Sequence, residues 1–291
     1  MTDHHVRTVL PVQATLGEGP VWIGRDAALW FVDIKQRHVH RFDPASGEGR
    51  RWDAPDQVGW VLPDAEGGLI AGLKTGLHRF DPADGSFAFL AQPEGHPDGN
   101  RLNDAATDGA GRIWFGTMDD GESAASGRLF RFAGGSVADS GLDPVCITNG
   151  PAIHGPSATL YHTDTLGKTV WRATIRDDGT LSPAERFVTI EDGAGHPDGS
   201  VVDAEGCVWI ALWGGWGVRR YDPTGTLIGT VRLPASNITK IAFGGPDLRT
   251  AYATSARKGL DAGALAEQPE AGNLFAFDPG VAGLPVTPVA R

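Results

Sequence analysis

Apolar and polar positions alternate in short bursts along the chain, and no long helical period comes between them. Six bursts share one signature, an aromatic and aliphatic run bounded by turn residues. They are AALWFVD (27–33), GGLIAGL (67–73), GRIWFGT (111–117), ATLYHTD (158–164), GCVWIAL (206–212) and RTAYATS (249–255). This composition predicts strands. A second strand follows each copy and ends in a turn: HRFDPASG, HRFDPADG, LFRFAGG, WRATIRDDG, RRYDPTG and LFAFDPG. In the DP-x-x-G and DP-x-G endings Asp bonds its own backbone, Pro fixes φ and Gly accepts positive φ, so each repeat holds a hairpin. A third strand precedes each signature, from Glu18, Gly59, Asn103, Asn149, Asp198 and Thr239, at spacings of 41, 44, 46, 49 and 41 residues.

That spacing is one four-stranded sheet per repeat. Six repeats therefore predict an all-β, six-bladed β-propeller over residues 1–291 as a single domain, with radial repetition leaving only short edges exposed. The leading VRTVLPV is expected to pair with the C-terminal strand around FAFDP and close the ring. A β-sandwich does not predict sixfold self-similarity, and a parallel β/α fold would need helices between the strands.

In a propeller the innermost strand of each blade faces the central channel, so one repeat position converges on the axis. Here that position holds Glu18, Gly59, Asn103, Asn149, Asp198 and Thr239. Two carboxylates and two carboxamides are the donors of a hard cation. Asn-Gly and Asp-Gly are also ordinary turn pairs. Four oxygen-bearing side chains at equivalent positions, and the cost of burying carboxylates without partners, weigh for a central axial metal site.

Composition narrows the remaining possibilities. The 41 Gly, 20 Pro and 9 Trp suit short strands and tight turns, and 41% hydrophobic residues suffice for a large core. A net charge of -11 offers neither nucleic acid nor anionic lipid a basic face, so neither is an expected partner. The first residues lack a signal-peptide pattern, and a cytoplasmic location is expected. Cys146 and Cys207 are too few for a disulfide framework and are expected to be buried thiols. No GxSxG, HExxH, Walker or GxGxxG pattern offers other chemistry. The histidines are scattered and expected to be structural, although His96 and His196 recur in HPDGN and HPDGS. Trp213 and Trp216 could wall a sugar ring, but Trp in propellers commonly packs between blades, and they are expected there rather than in the site.

The segments GEGPVW, RLNDAATDGAGRIWFGTM, ITNGP and HPDGSVVDAEGCVWIALWGGWGV followed by YDP resemble the motifs of the senescence marker protein/regucalcin/gluconolactonase family, in order and over nearly the whole chain. The resemblance implies a divalent metal on the axis, held by Glu18, Asn149 and Asp198, with Arg101 and Asn103 binding substrate. It also implies an acidic substrate contact after GTM, where Asp119, Asp120 and Glu122 compete and Glu122 is the candidate carried forward. The implied activity is hydrolysis of aldonolactones to aldonic acids. DAPDQVGW, GLKTGLHRF, YHTDTL and TSARKGL most resemble bacterial lactonases of pentose oxidation, so a pentonolactone such as xylonolactone is the expected substrate. Asp198 would serve as general base and Arg101 would hold sugar hydroxyls or the developing oxyanion. The ion could be Ca²⁺, Mg²⁺, Mn²⁺, Zn²⁺ or Fe²⁺. The competing readings are a non-enzymatic calcium- or ligand-binding propeller, and a lactonase for gluconolactone, arabinonolactone or galactonolactone. A monomer or small homo-oligomer is expected.

Overall fold

Each predicted repeat forms one four-stranded antiparallel sheet in the computed structural model, which describes residues 4–290. The six sheets are the blades of a β-propeller. The inner strands are Gly17–Ile23, Val58–Pro63, Asn100–Thr107, Thr148–His154, His196–Val202 and Ile238–Gly244. They begin one to three residues before the positions read from the repeat. Each packs against the inner strands on both sides, which makes them a closed ring.

Closure occurs where the sequence places it. Arg7–Leu10 pairs antiparallel with Leu274–Phe277, so the sixth blade takes three strands from the C-terminal end of the chain and one from its start. Val9, Leu10 and Val12 pack on the cluster containing Trp22, Phe31 and Tyr252, which turns the seam into apolar burial as well as backbone pairing. Elsewhere the blades meet through buried aromatics, with Trp60 and Phe115 6.2 Å apart between the second and third blades.

A recurrent aspartate sets the tight turns after two inner strands. Asp108 accepts bonds from the Ala110 and Arg112 backbones, from Arg112 Nε and from Trp114 Nε1. Asp203 does the same for Glu205, Cys207, Trp209 Nε1 and Arg220. One buried carboxylate thus caps a turn and anchors the indole that packs against the next blade. Both cysteines are free. Cys207 is buried as expected, but Cys146 is only half-buried: it lies in the approach to the strand Thr148–His154 and not within a ladder, with its carbonyl accepting from Asp119 N–H. Among the described residues no helix is long and apolar enough to cross a membrane.

Candidate functional site

The site is built by a backbone irregularity repeated six times. Every ladder between an inner strand and the next strand shifts register near the channel-facing position: Glu18/Val21, Val58/Trp60, Leu102/Ala105, Asn149/Ala152, Pro197/Ser200 and Ile238/Lys240. Such a bulge leaves a residue outside the pairing and re-aims its side chain. Gly19 and Gly150, directly after Glu18 and Asn149, supply the positive φ (54° and 67°) that two of these bulges need. Glu18, Asn103, Asn149 and Asp198 are consequently buried, each at 3–4% exposure, and line one cavity of about 310 Å³. The other two repeat positions contribute no donor. Gly59 has no side chain, and a Cβ there would lie 2.7 Å from the backbone oxygens of Leu102 and Asn103. Thr239 turns its hydroxyl onto the Gly17 carbonyl, at 2.6 Å.

Hydrogen bonds fix the polar floor. Asn149 Nδ2 donates to Thr165 Oγ1 (2.9 Å), which leaves its Oδ1 toward Asn103 Nδ2 (2.9 Å). Asn103 Nδ2 also donates to the Thr148 carbonyl, and its Oδ1 accepts from Arg101 Nη1 at 2.6 Å. Arg101 lines the same cavity. It is 2% exposed, and its Nε donates to Asp120 Oδ1 at 2.9 Å. Lys35 and Gln57 hold the same carboxylate. Burial would raise the Asp120 pKa, but these partners outweigh it and hold the group well below the usual carboxylate range.

Charge matching separates the buried acids. Arg101 is paired with Asp120 and Lys240 with Asp104, whereas Glu18 and Asp198 form no ion pair among the described residues. Both side chains line the same cavity. Burial, and then the charge of Asp104, push Glu18 up to about 8 despite opposing help from Gly19 N–H, Lys240 and Arg101. Burial and the charges of Glu18 and Asp104 raise Asp198 in the same direction. Among the described residues no three His, Cys, Asp or Glu come together as a metal cluster. The donors here are two carboxyls and an amide oxygen, and two buried acids without an ion-pair partner among the described residues, both raised because burial leaves their charge unanswered, fit one divalent cation.

Of the three acids in the loop after GTM, only Glu122 lines the cavity. Asp119 is spent on its own loop, accepting from the backbones of Gly121, Ser123 and Ala124. Asp120 is committed to Arg101 and Lys35. Glu122 pairs with Lys258, which reaches it from the sixth blade, opposite the third, so the contact spans the cavity mouth. Lys258, His196 and Trp213 also line this cavity, and none was assigned to the site from sequence. His196 was the nearest to legible, since it lies two positions before Asp198 in HPDG, with Nδ1 on the Thr165 carbonyl.

Fold and site together define a propeller with an axial, oxygen-lined polar centre. The chain belongs to the family described as the SMP-30/Gluconolactonase/LRE-like region, which matches residues 16–257. It is 36% identical over 290 residues to a pentonolactonase of Haloferax volcanii, covering 96% of each chain. To a 6-deoxy-6-sulfogluconolactonase of Pseudomonas putida it is 32% identical over 279 residues, again with 96% of each chain covered. Its fold superposes on the crystal structure of a calcium-binding protein, regucalcin, from Agrobacterium tumefaciens with a TM-score of 0.93 and 29% identity, covering 99% of this chain and 98% of the other.

Proposed function

We propose that this chain hydrolyses a sugar lactone, preferentially a pentonolactone such as xylonolactone, in its axial cavity with the help of one divalent cation. The single observation that carries this reading is the pair of buried, unmatched carboxylates, Glu18 and Asp198, beside the Asn149 amide at the base of a cavity walled by Arg101 and Asn103. Likeness to lactonases supports the reaction class, and the pentonolactonase among them supports the ring.

Glu18, Asn149 and Asp198 would hold the ion, which supplies Lewis acidity at the lactone carbonyl when bound. Asp198 accepts the proton of the attacking water as the C–O bond to the carbonyl carbon forms. The ring C–O bond then breaks, and the proton passes to the departing alkoxide, so that lactone and water become one hydroxy acid. Arg101 places its charge beside the developing oxyanion and is itself held by Asp120 and Asn103. Glu122 accepts from sugar hydroxyls once it leaves Lys258, while Trp213 and Leu166 give the ring an apolar wall.

The test is proton release from xylono-, arabinono-, galactono- and gluconolactone, using chelated protein with each divalent ion restored in turn. Faster cation-dependent opening of a pentonolactone than of gluconolactone is expected. Equal rates for all four would remove the pentose assignment, and no rate above background would leave a binding propeller.

A further inference from the structure

One residue beyond the channel-facing position, the six inner strands carry Gly19, Trp60, Asp104, Gly150, Gly199 and Lys240. Two of these are charged, and both are buried. Lys240 Nζ donates to Asp104 Oδ1 at 2.6 Å. Asp104 belongs to the third blade and Lys240 to the sixth, so the pair crosses the full width of the ring. Gly199 clears its path: a Cβ there would lie 2.6 Å from Lys240 Cβ and Cγ. Asp104 Oδ2 is buried without a hydrogen-bond partner.

Two pockets lie near the pair, and Lys240 lines the smaller one. The larger is the cavity containing Glu18 and Asp198, and both carboxyls feel the charge of Asp104. The smaller is a void of about 120 Å³, lined also by apolar side chains such as Trp22, Trp60 and Phe243, and reached by residues 284–287. An isolated buried charge is costly, and a buried pair is retained only where each partner answers the other.

We propose that Asp104 and Lys240 are a positioning pair that sets the charge of the axial cation site, an inference that rests on the divalent-cation reading above. With both in place the pair is neutral, and Glu18 and Asp198 alone offer two negative charges to the ion. Without Asp104, the Lys240 ammonium faces the cation unmatched. Without Lys240, Asp104 adds to the negative field. The two single substitutions therefore act in opposite directions, which loss of packing would not do.

The experiment is calorimetric titration of metal-stripped protein with Ca²⁺ and with Mn²⁺, for the wild type, Asp104→Asn, Lys240→Met and the double variant at one pH and ionic strength. Asp104→Asn is expected to weaken binding by about tenfold, because an unmatched buried ammonium, poorly screened by solvent, repels the cation. Lys240→Met is expected not to weaken it, and the double variant to return within about threefold of the wild type. Comparable weakening in both single variants, or a double variant as weak as Asp104→Asn, would overturn the inference. If Asp104→Asn does not fold, Lys240→Met and the double variant decide the matter, since tenfold weakening in either contradicts it. A wild type that binds neither ion would fail at the cation reading itself, and the pair's role with it.

Discussion

Asp198 shows how far a single side chain can be read from sequence. Its place in the repeat marked it as axial, and the structure buries it beside Glu18 within one cavity. The Asp198→Asn protein keeps the shape and loses the proton acceptor, so turnover is expected to fall by a factor on the order of 10² to 10⁴, with an unchanged circular dichroism spectrum. Arg101→Ala is expected to lower kcat/KM while calorimetry still finds the cation, since Asp120 retains Lys35 and Gln57; loss of cation binding would show that Arg101 belongs to the ion's site. Lys35 and Lys258 were not legible, because they sit in loops that do not follow the repeat; Trp213, expected in blade packing, does pack on the core but also lines the cavity from the end of its strand. The Asp104–Lys240 pair did lie in the repeat, one position further along the strands, but pairing across a ring requires the ring.

At the scale of elements, the strands and hairpins were legible because period-two patterning and turn chemistry are local. The bulges were not, since an extra residue in a ladder shows only against its partner strand. Two elements carry predictions. The loop behind Glu122 is tied by Asp119, whose carboxylate the backbones of Ser123, Ala124 and Gly121 and the Ser123 hydroxyl hold down at about 2, against an ordinary 3.8. A depressed folded pKa means that this tie is complete above about pH 4 and is lost as pH falls through about 2. Carbon NMR of Asp119 is expected to show a midpoint near 2, and a midpoint near 4 would mean that the loop is not tied. The closing strand is the second element. Deleting residues 1–11 removes its ladder and the packing of Val9 and Leu10. At about 1.5 kcal/mol for each side chain, the cost is about 3 kcal/mol, and Tm is expected to fall by roughly 5–10 °C; an unchanged Tm would mean that the seam does not hold the ring.

The molecule as a whole was legible because six copies of one unit leave few architectures, and the same periodicity located the axis. Its overall charge bears on kinetics rather than fold. A neutral lactone approaching a protein of net charge -11 is not steered, so kcat/KM should change less than about twofold between roughly 20 and 200 mM salt. A steep salt dependence would instead point to a charged substrate. The central claim is that Glu18, Asn149 and Asp198 hold a divalent ion through which a lactone is opened. Its most direct test is the rate of proton release from xylonolactone by chelated wild-type protein before and after a divalent cation is restored, with Asp198→Asn run in parallel. Restoration that revives the wild type alone is the predicted result, and full activity in chelated protein, or in chelated Asp198→Asn, would contradict it.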